Sequence, residues 1–184
     1  MPTGCSPHGA GATVTVAVVT YPVVMGADEL WIESYQGEVL GEALFGSLAE
    51  REEDPGRRRQ LEVLTLLERR TKELAEPVLG RRALERGDTE ASRSAAVALA
   101  DAVVGMTWDD FLASFQLITD EFLVKYRRLV ELASDDVERA VAEAYVAHEV
   151  AIASFARRAL GQEAGDPLGP ILALPHVTAA LATP

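Results

Sequence analysis

The stretch LWIESYQGEVLGEALFGSLA, residues 30–49, decides how this chain folds. At about 100° per residue, Trp31, Tyr35, Glu38, Glu42, Phe45 and Ala49 share one stripe of a helix, in steps of four, three, four, three and four. The other faces carry Ile32, Val39, Leu40, Leu44 and Leu48. A helix that is apolar nearly all round belongs at the centre of a domain. Glu38 and Glu42, on a stripe with three aromatics, are then not simply solvated.

Outward from this stretch, the first helix is expected from Ala27 to Glu50, ended by Glu52-Glu53-Asp54-Pro55-Gly56. Asp54 is the expected N-cap of the second helix, with Pro55 at N1. That helix covers Arg57 to Glu76, and Pro77 should end or kink it. Thr89 opens a shorter, Ala-rich connector helix through Val104. Thr107-Trp108-Asp109-Asp110 carries an acid three residues after the Thr, a capping-box-like start for a long helix through Ala133. Ser134-Asp135-Asp136 caps the last long helix, which runs to Leu160 and stops at Gly161. The pattern is an all-α fold whose core, residues 27–161, is an antiparallel four-helix bundle with a short crossover helix. Residues 162–184 contain four prolines and the apolar run Ile171 to Leu174, so an extended strap over the bundle is expected.

Residues 1–26 stand apart as an N-terminal extension. Val14 to Met25 is largely apolar but too short to cross a membrane as a helix, and no Lys or Arg precedes it as a signal peptide requires. Regular helical patterning begins only after Met25, which places the functional start near that residue.

The chain has 184 residues, 17 basic against 29 acidic side chains and a net charge of −12. That length suits one domain with a core of its own. The charge repels phosphate backbones and anionic lipid, which argues against nucleic acid and membrane as partners and for a cytoplasmic protein. A single cysteine, Cys5, excludes an intramolecular disulfide and a multi-cysteine zinc site. Neither a nucleophile motif nor a phosphate-binding loop between strand and helix is present.

The chemistry-bearing residues lie on inner faces. On the second helix Leu64, Leu67, Thr71 and Leu74 mark the seam, and Glu68 falls within the same apolar arc. On the fourth segment Phe111, Leu112, Phe115, Phe122, Tyr126, Leu129 and Val130 form the stripe, with Thr119 as its central polar residue. On the last helix Val137, Val141, Ala144, His148, Ala151, Ile152, Phe155 and Ala159 line the inner face, with Tyr145 and Glu149 on one flank. Burying unpartnered carboxylates or an imidazole costs several kcal/mol, so these groups must be satisfied by each other, by water or by a metal. Carboxylates with a neutral imidazole suit divalent iron, manganese or zinc. His8 and His176 fall in loop or tail segments with no second ligand at fixed spacing, and are expected to be solvated or incidental.

Gly37-Glu38 followed by Gly41-Glu42 resembles the first-helix ligand region of the ferritin-like superfamily, the rubrerythrin and di-iron carboxylate bundles. Two long helices, a crossover with a short helix and two more long helices are similar to its layout. The resemblance implies a metal site in the bundle core, built in that family from Glu-x-x-His on the second and fourth helices and a Glu on the first and third. Here Glu68-Arg69-Arg70-Thr71 has Thr in the His position, Thr119 stands where a Glu is expected, and Tyr145-Val146-Ala147-His148 keeps only the His. The donors implied are Glu38, Glu42, Glu68, His148 and Glu149, holding iron or manganese, with Tyr35 or Tyr145 nearby. Two functions remain open at this level: redox or oxygen chemistry at that metal, and a non-catalytic bundle serving as an interaction or small-molecule-binding module. The all-round apolar first helix also allows a homodimer. No residue pattern points to a redox partner.

Overall fold

A computed structural model describes residues 25–181, and among these the fold is all-helical. Expectations placed on Cys5, His8 and the apolar stretch before Met25 lie outside the described residues. Seven helices follow in order: α1 (Ala27–Arg51), α2 (Pro55–Arg81), α3 (Thr89–Val103), α4 (Trp108–Leu132), α5 (Asp136–Ala159), α6 (Gly169–Leu172) and α7 (Pro175–Leu181).

Helix starts are set by short polar residues that satisfy free backbone N–H groups. Asp54 accepts from the Arg57 N–H at 2.8 Å, Asp88 from Ala91 at 2.9 Å, Thr107 from Asp110 at 3.1 Å, and Asp135 from Glu138 at 2.8 Å. α5 ends at Gly161, whose φ of +70° is a conformation that favours glycine. Pro77 neither ends nor breaks α2, which continues to Arg81. The proline is exposed and close to the helix end. The carbonyl of Glu73, which loses its donor, lies on the outer side, and the buried Ala75, Val78 and Leu79 keep the last turns packed.

Side-chain pairs fix the directions of the four long helices. Asp28 at the start of α1 meets Arg82 just past the end of α2, while Arg58 at the start of α2 bonds the Glu52 carbonyl just past α1, so α1 and α2 are antiparallel. Glu33 pairs with Lys125 and Phe45 with Phe115, making α4 antiparallel to α1. Arg82 with Glu138 and Thr71 with His148 do the same for α2 and α5. Consequently α2 and α4 run the same way, and their connection must return along the length of the molecule. α3, about 22 Å long at 1.5 Å per residue, makes that return against α1, where Arg51 meets Asp101 at 2.6 Å. Its buried Ala96 and Ala100 join the core beside the half-buried Leu40 and Leu48, so α3 covers part of the apolar α1 face.

Two apolar clusters fill the interior. One contains Phe45, Leu64, Phe111, Phe115 and Phe155, the other Trp31, Tyr35, Val78, Tyr126 and Tyr145. Between them in register lie the buried polar residues Glu38, Glu68, Thr71, Thr119 and His148.

The tail is not an extended strap. Residues 169–181 form α6 and α7, because Ile171, Leu174 and Val177, three residues apart, make a helical apolar stripe that is buried with the first cluster. Val137, expected on the inner face, is exposed. It lies in the first turn of α5, where the neighbouring Glu138 turns inward to Arg82 instead. None of the described helices is long and apolar enough to cross a membrane.

Candidate metal centre

Three helices contribute to one buried group. Glu38 comes from the aromatic stripe of α1, Glu68 from the inner arc of α2, and His148 from the middle of α5; their ligand atoms all lie within 4.8 Å of one another. His148 Nε2 is 3.4 Å from Glu68 Oε1, and Nδ1 is 3.6 Å from Glu38 Oε2. Nδ1 also lies 2.8 Å from the Thr71 hydroxyl, so it is already engaged and Nε2 is the nitrogen that faces the carboxylates freely.

Room for Glu68 comes from Gly41. A Cβ on that glycine would lie 2.5 Å from Glu68 Oε2 and 2.6 Å from its carboxyl carbon. Gly41→Ala should therefore push the Glu68 carboxylate out of the group while the helix itself gains propensity. We expect metal-ion affinity to drop at least about tenfold with helical content by circular dichroism unchanged; unchanged affinity in a calorimetric titration would mean that Glu68 has another way in.

The electrostatics follow from burial. Taking Glu38 out of water, with the Glu68 and Glu149 carboxylates beside it, holds its pKa well above the ordinary carboxyl range. Glu149 is pushed up to about 7, chiefly by burial, with the His148 charge working the other way. Burial alone would disfavour a charged His148, but the neighbouring Glu68 and Glu149 outweigh it and raise its pKa. Tyr126 and Tyr145 are pushed well above their ordinary value, by burial first and then by these carboxylates. The apolar surroundings thus resist net negative charge, and the group must hold protons or a cation.

A divalent ion fits the residues present. Two carboxylates match its charge, and donor atoms within 4.8 Å of one another can be drawn by small side-chain shifts onto one ion at bonds of about 2.0–2.2 Å. Glu38 Oε2 is buried without a hydrogen-bond partner, as is the Tyr145 hydroxyl. An unpartnered carboxylate oxygen inside a protein is what a cation would satisfy.

Of the five donors expected from sequence, the structure brings Glu38, Glu68 and His148 together. Glu149 is buried next to the group but outside its donor set, because one residue along a helix turns it about 100° from His148. Glu42 is a correction: it faces Arg69 at 2.7 Å and Lys72 on α2, away from the group, and those cations lower its pKa against the opposing effect of burial. Thr119 is buried on α4, so the fourth helix adds no carboxylate. His176 is also a correction. It is half-buried rather than solvated: α7 carries it over α2, with Nε2 3.3 Å from the Thr71 hydroxyl. Burial and then the nearby His148 depress its pKa to about 4. The spacing of Ile171, Leu174 and Val177 is the signal that a docked helix would carry it there.

Comparisons with protein-family models, curated proteins and solved structures return no match, so the chemistry of this group rests on its own geometry.

Proposed function

We propose that this chain is a ferritin-like four-helix-bundle protein that holds one divalent ion, iron or manganese, between Glu38, Glu68 and His148, and that it carries out redox chemistry with dioxygen or peroxide there. The observation that carries this reading is the convergence of three buried donors from three helices, with one carboxylate oxygen unpartnered. Four long helices with a single long crossover agree with the layout of that superfamily. Thr119 in place of a carboxylate on α4 favours one ion over two.

A bound ion of this kind supplies open coordination positions and one-electron chemistry. The chain's own residues do the rest. Glu38 and Glu68 neutralise the ion's charge, His148 offers Nε2, and Trp31, Tyr126 and Tyr145 close the site against water on one side. The Tyr145 hydroxyl, unpartnered and buried, faces the same polar layer as the carboxylates that raise its pKa.

Metal analysis of protein from iron- and manganese-supplied cells should find close to one ion per chain. At free ion about 100 times Kd, binding stabilises the fold by about 2.7 kcal/mol, a rise in melting temperature of roughly 5–10 °C. Chelator should reverse it. Protein without stoichiometric metal, whose melting is indifferent to both ion and chelator, would overturn the proposal.

A further inference from the structure

α4 carries an outer face that the metal reading does not use. Leu117 and Val124, 78% and 69% exposed, are the two most exposed large apolar side chains among the described residues, and they stand two turns apart on one side of that helix. Phe115, Thr119 and Tyr126 on the opposite side are buried, so this face points away from the core. Two exposed acids, Asp120 and Glu121, precede Val124 by four and three residues, and two exposed bases, Arg127 and Arg128, follow it by three and four. We propose that this face binds a second copy of the chain, with the two α4 helices packed antiparallel about a twofold axis at Val124. The inference goes beyond the metal reading and does not depend on it.

Charge and position select this partner. A twofold perpendicular to α4 at Val124 reverses the direction of the helix but keeps its two flanks on their own sides. At about 100° per residue, Glu121 and Arg128 lie roughly 60° and 40° to one side of Val124, and Asp120 and Arg127 roughly 40° and 60° to the other. Along the helix axis each acid then comes within about 1.5 Å of the level of the partner's base on its flank. Glu121 meets the partner's Arg128, Asp120 meets the partner's Arg127, and the symmetry repeats both pairs. Parallel packing would set acids against acids and bases against bases. Leu117 comes to lie beside the partner's Glu131, a residue whose carboxylate is offset within its own chain by Arg128 at 2.8 Å.

α4 is about 37 Å long, and a pair of such helices alone makes a narrow contact beside the roughly 1,200–2,000 Å² that stable interfaces bury. A neighbouring apolar groove widens it. Arg127 shares that groove with Val130 of α4 and with Val146, Ala147 and Val150 of α5. Because the flanks are kept, the same twofold lays groove against groove and takes the half-exposed Val150 out of water. The apolar centre supplies affinity, and the four charge pairs around it fix the direction of pairing.

Sedimentation of the full chain at about 100 µM in physiological salt should show a dimer. Val124→Asp puts like charges together at the twofold and should weaken association at least about tenfold, with helical content by circular dichroism unchanged because the position is exposed. Arg127→Glu combined with Arg128→Glu should be monomeric alone, and so should Asp120→Lys combined with Glu121→Lys, since every pair becomes like-charged. Mixed together, these two double variants should form a heterodimer, in which each acid again faces a base. A wild type that sediments as a monomer at that concentration overturns the proposal, as does a dimer indifferent to Val124→Asp. Double variants that stay monomeric on mixing would sink the antiparallel pairing even if the wild type is a dimer.

Discussion

Stripped of metal, the protein should be more stable near pH 5 than near pH 8. Glu149 in the folded chain keeps its proton up to about pH 7, whereas unfolded it loses it near 4.5. Between those values the native state holds more protons than the unfolded one, so stability falls as pH rises. For this one residue the loss is on the order of 3 kcal/mol once both values are passed. Glu38, also raised, acts in the same direction. His148 does too: its folded pKa is above its unfolded value, so its contribution is present below the unfolded pKa and fades as pH climbs through the folded one. Urea unfolding in chelator at pH 5, 6, 7 and 8 would measure the slope. An ion should flatten it, because the cation takes over what the protons did. A stability that is level or rising from pH 5 to pH 8 in chelator would mean that the carboxylates are not buried together.

Loss of Arg82 should be strongly destabilising although the residue lies outside both the apolar clusters and the polar group. Its guanidinium bonds both oxygens of the buried Glu138 at 2.7 and 2.8 Å, and also reaches Asp28 at 2.5 Å, so it joins the start of α1, the end of α2 and the start of α5. Glu138 has only the backbone N–H and hydroxyl of Ser134 besides, both at 2.8 Å. Arg82→Ala leaves this carboxylate buried and under-partnered, a loss of about 3–5 kcal/mol. The bond to Arg82 holds Glu138 down at about pKa 2, against 4.5 when free. Its stabilisation is therefore complete above pH 4.5 and fades towards pH 2, and the gap between variant and wild type should close over that window. A deficit under about 1 kcal/mol at pH 7 would place the pair with ordinary surface salt bridges.

Much of the architecture was legible because it is local. The caps Asp54, Thr107 and Asp135 act on N–H groups three residues away, and the stripe from Trp31 to Ala49 repeats with the helical period. The same periodicity singled out Glu38, Glu68 and His148. It could not separate Glu38 from Glu42, four residues and about 40° apart, because what turns Glu42 outward is a pair of cations, Arg69 and Lys72, on another helix. That Pro77 does not end α2 was not legible for a related reason: its effect depends on whether the freed carbonyl faces water or core, and that depends on neighbours.

What the letters determined by themselves was the five longer helices, the caps that start them and most of the residues that turn inward, since these follow from hydrogen bonds and periodicities spanning a few positions. What only the tertiary structure decided was which inward residues meet. Gly41 makes room for a carboxylate 27 positions later, and Thr71 lies between two histidines 77 and 105 positions away. Such meetings depend on how separate helices pack, and packing is a property of the whole core rather than of any stretch of chain.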